Sequence, residues 1–311
     1  MTIFRPLKTS VAPTFSGHET FALRGNWLKK AYDSLDQYPN LFARPDAFIL
    51  LGVGKNMAQS IRYWGRVCGV FDKKPSSHAY ISTELGHRLL ADDGWDPFLI
   101  TPAGRWLLHW QITSRLEGAY TWFYTFNLLR RGEFTVANLG KSIQEHAQAH
   151  SWGVPSDTTI SRDIECMINC YIRPSRQQID RAVEDALSCP LAELGLMQQL
   201  PGQNTFHLIV GSKPDLPDAL LAYAIRDLMI SAGRETLALS DLAYGERSPG
   251  KVFRLDEDSL LDRLQRLEEI TEGRAVYADQ AGIRQVQWSN VSDQAEDFSL
   301  LDRAFNEAVH D

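Results

Sequence analysis

The sequence predicts a mostly α-helical protein with small β-hairpin wings, arranged as two or three winged-helix (helix-turn-helix) units in series. Three observations lead to this fold class. Apolar residues recur at helical spacing through most of the chain, often just after a residue that caps helices. Short apolar runs flank turn residues behind several of these segments, as the strands of a wing would. Two helical segments joined by glycines near residue 52 are typical of a helix-turn-helix.

We expect three units along the chain. Residues 1–115 are predicted to form an N-terminal winged-helix DNA-binding domain with a basic arm. Residues 116–173 are predicted to form a second helix-turn-helix-like unit, and residues 174–311 an acidic, winged-helix-like C-terminal domain. The length of 311 residues agrees with more than one domain, and an apolar content of 44% is ample for packed cores.

The N-terminal unit contains the most clearly bounded elements. Thr83 is expected to cap a helix over residues 84–91, and Pro102 suits the start of the helix that continues over residues 103–112. A hairpin wing is expected around the KKPSS turn at residues 73–77. The other expected helices of this unit are 24–37, 47–51 and the recognition helix 55–68.

The second and third units follow the same pattern of capped helices and short strands. Thr135 is expected to cap one helix, Ser156 or Thr158 the next, and Pro249-Gly250 to interrupt the helices of the third unit. The expected helices are 119–129, 136–150, 159–172, 176–186, 218–232, 236–244, 256–270 and 298–309. The expected strands are 197–200, 205–210, 275–278 and 283–288.

The charge of the chain is distributed unevenly. The total is −7, but residues 1–135 carry a net +5 and residues 136–311 a net −12. Binding to a polyanion depends on the local patch rather than on the total. The basic half is therefore the candidate for contact with double-stranded DNA, whereas the acidic half more naturally faces a basic protein partner or solvent.

Location follows from what the sequence lacks. No apolar run reaches the length of a transmembrane helix, and the first residues contain no apolar signal core. Four cysteines in so long a chain do not form a disulfide framework. We expect a cytoplasmic protein without a membrane partner.

The recognition helix has one apolar and one polar face. Met57, Ile61, Trp64 and Cys68 repeat at helical spacing, so Trp64 is assigned to the core. The opposite face carries residue types that bond phosphates and base edges. The expected DNA-binding residues on this helix and on the helix at 24–37 are Arg24, Lys29, Lys30, Lys55, Asn56, Ser60, Arg62 and Tyr63.

Two other motifs receive structural interpretations. The GVGKN segment at residues 52–56 resembles a fragment of a phosphate loop but lacks its Ser/Thr and its first glycine, so no nucleotide is expected. A DNA phosphate at the start of the following helix is the better functional interpretation. Cys166 and Cys170 lie one helical turn apart among apolar residues, which favours burial over a metal site.

His18 and Glu19 adjoin in a polar loop between two phenylalanines. An imidazole beside a carboxylate can bind a metal or transfer a proton. The alternative is a capping loop, in which Glu19 or Thr20 satisfies backbone donors ahead of the helix at 24–37. The sequence leaves both open.

Several motifs together resemble one family, DUF4007. They are FSGHETF at 15–21, Arg24, WLKK at 27–30, GVGKNM at 52–57, IRYW at 61–64, PLAELGL at 190–196 and SPGKVF at 248–253. The resemblance covers nearly the whole chain. It implies a role in a bacterial DNA phosphorothioation and anti-phage defence system, in which sulfur replaces a non-bridging phosphate oxygen. It also implies DNA nicking, alongside a cysteine desulfurase, an ATPase and a sulfurtransferase.

The expected function is DNA binding with metal-dependent nicking that allows sulfur incorporation. A nickase activates a water and stabilises charge on the phosphate, usually with Mg²⁺ or another divalent ion, or with an imidazole. Glu19 is the candidate metal ligand or base, and His18 its catalytic partner. The alternatives are a non-catalytic DNA-binding adaptor that positions the modification enzymes, and a transcriptional regulator of the same locus.

Overall fold

The computed structural model describes residues 13–173, 189–293 and 295–307 of the chain. The expected helix at 176–186 and most of the expected N-terminal arm lie outside these residues. In the first part of the chain, the helices and strands are α1 (Gly25–Gln37), α2 (Ala47–Leu50), α3 (Lys55–Val67), β1 (Phe71–Lys73), β2 (Tyr80–Ser82), α4 (Glu84–Leu90) and α5 (Pro102–Thr113).

The middle part is helical except for one short strand. Its elements are α6 (Tyr120–Phe123), a π-helical turn (Tyr124–Leu128), β3 (Glu133–Phe134), α7 (Val136–Ala149) and α8 (Asp157–Tyr171). The C-terminal part contains a 3₁₀ helix (Pro190–Leu194), β4 (Met197–Gln199), β5 (Phe206–Leu208), α9 (Asp218–Ala232), β6 (Thr236–Ala238), α10 (Leu239–Tyr244), α11 (Pro249–Val252), α12 (Glu257–Leu264), α13 (Leu267–Ile270), β7 (Ala275–Gln280), β8 (Ile283–Trp288) and α14 (Ala295–Glu307).

Side-chain caps fix the starts of the helices as the sequence predicted. The hydroxyls of Thr83 and Ser156 accept backbone N–H groups from residues three positions further along, and the Thr101 hydroxyl, ahead of Pro102, does the same. Thr135 does the same and forms a capping box with Asn138, whose side chain accepts the Thr135 N–H. These caps satisfy donors that a helix start otherwise leaves unpaired.

All three sheets are small and antiparallel. The predicted hairpins are present as β1–β2, β4–β5 and β7–β8. Two additional strands were not predicted: β3 pairs with β5, and β6 pairs with β8. Both sheets of the later parts are therefore three-stranded, in the orders β3-β5-β4 and β6-β8-β7.

Four helix predictions need correction. Residues 236–238 form strand β6 rather than the start of a helix. The single helix expected at 256–270 is broken into α12 and α13. The segment 119–129 changes from α to π geometry after Phe123, and the expected interruption at Pro249 is the first turn of α11. Proline at a first helical position needs no N–H, which explains the last difference.

The chain is a mostly helical protein with small antiparallel sheets, as expected. The elements of the expected N-terminal unit are present in the expected order: a one-turn helix (α2), a glycine turn, a long helix (α3) and a hairpin (β1 and β2). Gly52 supplies the turn with a φ of +62°, which glycine adopts without a steric penalty. An arrangement of these elements as winged-helix units stays a prediction.

One continuous apolar cluster includes side chains from all three expected units. Helix α5 is at its centre: Trp106, Leu107, Leu108 and Trp110 are each at most 1% exposed, and α5 packs against α9 and the 3₁₀ helix. The domain boundaries at 115 and 173 stay predictions. None of the described helices combines the length and apolar character needed to cross a bilayer.

His109 links three helices inside this cluster. Its Nε2 donates to the Val252 carbonyl of α11, and its Nδ1 accepts from the Tyr171 hydroxyl of α8, each at 2.7 Å. Burial lowers the pKa of His109 to about 4, since the charged form is desolvated there. The neutral ring therefore serves as a fixed crosslink between α5, α8 and α11.

Candidate functional site

The loop at residues 15–21 has an unusual backbone. Ser16, Glu19 and Thr20 have φ angles of +61°, +51° and +66°. Non-glycine residues rarely adopt this region, and each costs on the order of 1 kcal/mol or more. Such a loop persists only where its surroundings hold it in place, and strain of this kind clusters at functional sites.

A buried carboxylate holds the loop. Asp163 of α8 is 2% exposed, and its Oδ1 accepts from the Ser16 N–H at 2.7 Å and from His18 Nε2 at 2.6 Å. Its Oδ2 accepts from the Thr121 hydroxyl of α6. Three donors from two distant segments thus converge on one side chain, which satisfies the hydrogen-bonding needs of a buried charge.

The hydrogen-bond partners of His18 show which ring nitrogen donates. Nδ1 accepts the backbone N–H of Thr20 at 3.0 Å, so the ring proton lies on Nε2 and points to Asp163. His18 is fully buried. Neither nitrogen is free to hold a metal or to take a proton from a substrate. The imidazole therefore fixes the shape of the loop.

An aromatic wall surrounds His18. The ring centroids of Tyr63, Trp122 and Trp64 lie 5.7, 5.8 and 6.4 Å from that of His18. A Cβ atom on Gly17 would lie 2.4 Å from the Tyr63 ring, so only glycine fits this close approach. Since Tyr63 and Trp64 belong to α3, the loop packs directly on the predicted recognition helix.

The structure separates the two side chains that the sequence placed side by side. His18 points into the core, whereas Glu19 is partly exposed, and no side chain or backbone donor within the described residues hydrogen-bonds to its carboxylate. The capping interpretation holds only in part. The loop does satisfy a backbone donor, the Thr20 N–H, but the acceptor is His18 Nδ1 and not the side chain of Glu19 or Thr20.

The predicted DNA-binding residues of α3 fall into two groups. Lys55 and Asn56 are exposed at the start of α3, and Arg62 is partly exposed. Ser60 is fully buried and out of reach of DNA. Tyr63 directs its hydroxyl to the Gly118 carbonyl at 3.3 Å and its ring to the loop.

On α1 and at Arg24, just before it, the cations already have partners. Lys29 Nζ lies 2.7 Å from an oxygen of both Asp33 and Asp92. Lys30 Nζ donates to the Leu51 carbonyl at 3.4 Å, and the Arg24 guanidinium stacks 5.2 Å from the centroid of the Trp27 ring. Contact with DNA would compete with these interactions.

Sequence reasoning missed Asp163 and Thr121. Asp163 lies 145 residues from His18 in the sequence. It lies on the apolar face of α8, three residues after Ile160 and four before Met167. The sequence did contain a signal for Asp163, namely a carboxylate on the apolar face of a helix. An ionised group is buried only where it has hydrogen-bonding partners, so such a position indicates a buried polar contact.

The cysteines are buried, as expected for Cys166 and Cys170. Burial raises the pKa of Cys68, which disfavours its thiolate. Within residues 13–173, 189–293 and 295–307, no three His, Cys, Asp or Glu side chains are grouped so that they could hold a metal ion.

Comparisons with known proteins add the family. The family described as "Protein of unknown function (DUF4007)" matches residues 15–305. No curated protein matches the chain. An SspB crystal structure is similar with a TM-score of 0.85 and 30% identity, over 96% of this chain and 91% of that chain. A magnesium ion-bound SspB crystal structure is similar with a TM-score of 0.84 and 30% identity, over 96% and 90%.

The matched range includes the FSGHETF loop, α3 and the SPGKVF segment, the motifs that carried the resemblance in the sequence. The chain belongs to the DUF4007 family and is SspB-like over most of its length.

Proposed function

We propose that the chain binds double-stranded DNA and nicks one strand in a divalent-metal-dependent reaction, as a component of a DNA phosphorothioation system. The observation that carries this proposal is the strained loop at 15–21, which Asp163 holds against α3 while Glu19 stays partly exposed. The similarity to SspB supports the phosphorothioation setting. The partners that we propose in that setting are a desulfurase, an ATPase and a sulfurtransferase.

The proposed DNA surface is the exposed side of α3. Lys55, Asn56 and Arg62 lie there, and the first N–H groups of α3 have no side-chain cap at Gly54. Free N–H groups and the helix dipole favour an anion at such an end. The loop contacts α3 through the rings of Tyr63 and Trp64, and the proposal requires that DNA bound to α3 extends as far as Glu19.

The donor chemistry of Glu19 suits Mg²⁺. This ion is commonly held by one or two carboxylates together with substrate phosphates and waters, so a three-ligand protein cage is not required. The partly exposed Glu19 carboxylate supplies such a ligand or a general base. Mg²⁺ held there would supply positive charge to offset that of the phosphate and would lower the pKa of a bound water. His18 and Asp163 then act by positioning Glu19.

Nicking of supercoiled plasmid by purified protein, with Mg²⁺ or with EDTA, tests this proposal. We expect nicking only with Mg²⁺, and about a hundredfold slower nicking for Glu19→Gln with unchanged DNA affinity and melting temperature. Glu235→Gln is the control, since Glu235 is exposed and lies in the acidic half, away from the proposed site. Full activity of Glu19→Gln would eliminate the site.

The same assay separates the other functions. A wild-type protein that binds DNA without nicking it would support an adaptor, and tight binding restricted to a promoter of the locus would support a regulator. His18→Ala is less informative than Glu19→Gln, because it also removes a buried partner of Asp163.

DNA affinity measured against salt concentration tests the role of α3. Each phosphate contact contributes about 0.9 to the slope of log affinity against log salt. For Lys55→Ala with Arg62→Ala, we expect weaker binding and a slope lower by about two units. Lys141→Ala, at an exposed position on α7, is the control and should leave the slope unchanged. An unaltered slope in the double variant would remove α3 from the interface.

A further inference from the structure

Lys213, Lys251 and Arg254 form a cluster of cations in the acidic C-terminal part of the chain. Their backbone segments adjoin, because the Arg254 carbonyl accepts the Gly211 N–H at 3.0 Å and the Arg254 N–H donates to the Lys251 carbonyl at 3.3 Å. Lys213 is only 6% exposed, and Lys251 and Arg254 are partly buried. Lys213 Nζ donates to the Ile209 carbonyl at 3.2 Å, and Lys251 Nζ to the Asn127 carbonyl at 2.8 Å. Arg254 Nε is buried without a hydrogen-bond partner. In the described part of the chain, none of the three cations forms an ion pair.

These charges act on one another unfavourably. Burial lowers the pKa of Lys213 and of Lys251, and the charge of Arg254 lowers both further. The charges of Asp215 and Asp256 raise the pKa of Lys213, and that of Glu246 raises the pKa of Lys251, but none of these carboxylates forms an ion pair with the lysines. Burial alone lowers the pKa of Arg254. Keeping unpaired cations partly out of water is costly, and a bound anion would offset that cost.

The backbone around the cluster is also unusual. Arg247 and Arg254 have φ angles of +62° and +56°. Asn127, whose carbonyl accepts from Lys251 Nζ, belongs to the π-helical turn. Its Oδ1 accepts the Arg247 N–H at 2.9 Å. A Cβ on Gly250 would lie 2.4 Å from the Ala243 carbonyl oxygen, so α11 packs closely there. Single π turns and strained non-glycine residues concentrate at functional sites.

Two glycines lie close to Arg254. A Cβ on Gly132 would lie 3.8 Å from an Arg254 guanidinium nitrogen and 3.7 Å from the His207 ring, ordinary contact distances. Gly211 donates its N–H to the Arg254 carbonyl at 3.0 Å. The carboxylate of Asp256, near Gly211, accepts the Ser259 N–H as the cap of α12. Lys251 and Arg254 are both partly exposed, so an anion can reach them from solvent.

We propose that Lys213, Lys251 and Arg254 form a phosphate-binding site, separate from the surface made by the loop and α3. A guanidinium binds two phosphate oxygens at once, and the two ammonium groups supply further positive charge. The ligand is a phosphate group, either of the DNA backbone or of a small phosphate compound. This site does not depend on the nicking activity proposed above.

Thermal denaturation and calorimetry with pyrophosphate, in EDTA and at constant ionic strength, test the site. Wild-type protein is expected to melt about 3 °C higher with pyrophosphate at about ten times its dissociation constant. Arg254→Gln with Lys251→Gln should abolish this shift, whereas the exposed-lysine control Lys141→Gln should retain it. Equal shifts in wild type and double variant, or no shift in wild type, would overturn the proposal.

Two further variants test the site in case the double variant Arg254→Gln with Lys251→Gln does not fold. Arg254→Lys keeps the charge but loses the two-pronged contact, so it should fold and bind pyrophosphate about tenfold more weakly. Lys213→Met removes an unpaired buried charge and should raise the melting temperature in chloride buffer. Unweakened binding by Arg254→Lys, or a lower melting temperature for Lys213→Met, would contradict the site.

A short DNA duplex in the same EDTA buffer distinguishes the two sources of phosphate. If the double variant loses affinity for both the duplex and pyrophosphate, the site binds the DNA backbone. If it loses only pyrophosphate, the site binds a small phosphate compound. Cleavage is not measured here, so this result stands apart from the outcome of the nicking assay.

Discussion

Asp163→Ala is expected to lower the free energy of unfolding by about 3–5 kcal/mol, as for other disrupted buried charge networks. The substitution leaves the Ser16 N–H, His18 Nε2–H and Thr121 hydroxyl without their acceptor. Each buried donor left unpaired costs about 1–3 kcal/mol. The strained angles at Ser16, Glu19 and Thr20 then lose the contact that holds them, so the loop is expected to loosen as well.

Asp163→Asn is the matched variant. Its amide oxygen can still accept from Ser16 and His18, and its NH₂ group can donate to the Thr121 oxygen, so only the Thr121 hydroxyl hydrogen loses its acceptor. We expect this variant to lose less than about 2 kcal/mol. Urea denaturation followed by circular dichroism measures both variants. Equal losses would show that the charge matters more than the hydrogen bonds, and a small loss for alanine would contradict the network.

Much of the fold is predictable because its signals are local. Helix α3 follows from its apolar stripe, and Thr83, Thr135 and Ser156 mark helix starts by capping neighbouring N–H groups. Helix α9 has the predicted bounds because Pro217 precedes it and Gly233, with a φ of +62°, ends it.

The missed elements depend on distant partners. Strand β3 contains two residues and pairs with β5 more than seventy positions away. It is too short for its length or for an alternation of apolar and polar residues to predict it. Residues 236–238 fit a helical pattern, but pairing with β8 at Gln285 to Gln287 draws them into a strand. The break between α12 and α13 contains neither proline nor glycine, and the sequence therefore contains no signal for it.

The candidate site shows the same limit. The motif around His18 and Glu19 was visible in the sequence, but the inward direction of His18 depends on Asp163, which belongs to α8. Likewise, Ser60 fits the polar face of an isolated helix, yet packing around α3 buries it completely. A helical wheel places residues on faces, and only tertiary packing decides which faces are covered.

Trp64→Ala is expected to lower the free energy of unfolding by about 3–5 kcal/mol, as for other buried large-to-small changes. Trp64 is fully buried, as the sequence predicted, and its ring meets those of Tyr63 and Trp122 edge to face at 5.1 and 5.4 Å. Its Nε1 donates to the Phe21 carbonyl at 3.0 Å, which ties the end of the loop to α3. The alanine variant leaves a cavity and an unpaired carbonyl.

Trp64→Phe separates these two effects, because it keeps most of the apolar volume and loses only the hydrogen bond and part of the ring. We expect it to lose about 1–2 kcal/mol. Urea denaturation measures stability, and DNA affinity is measured on the same preparations at a temperature where each variant is folded. Since Trp64 is covered by the loop, affinity should follow the folded fraction. A stable Trp64→Ala protein that no longer binds DNA would instead place Trp64 at the DNA surface.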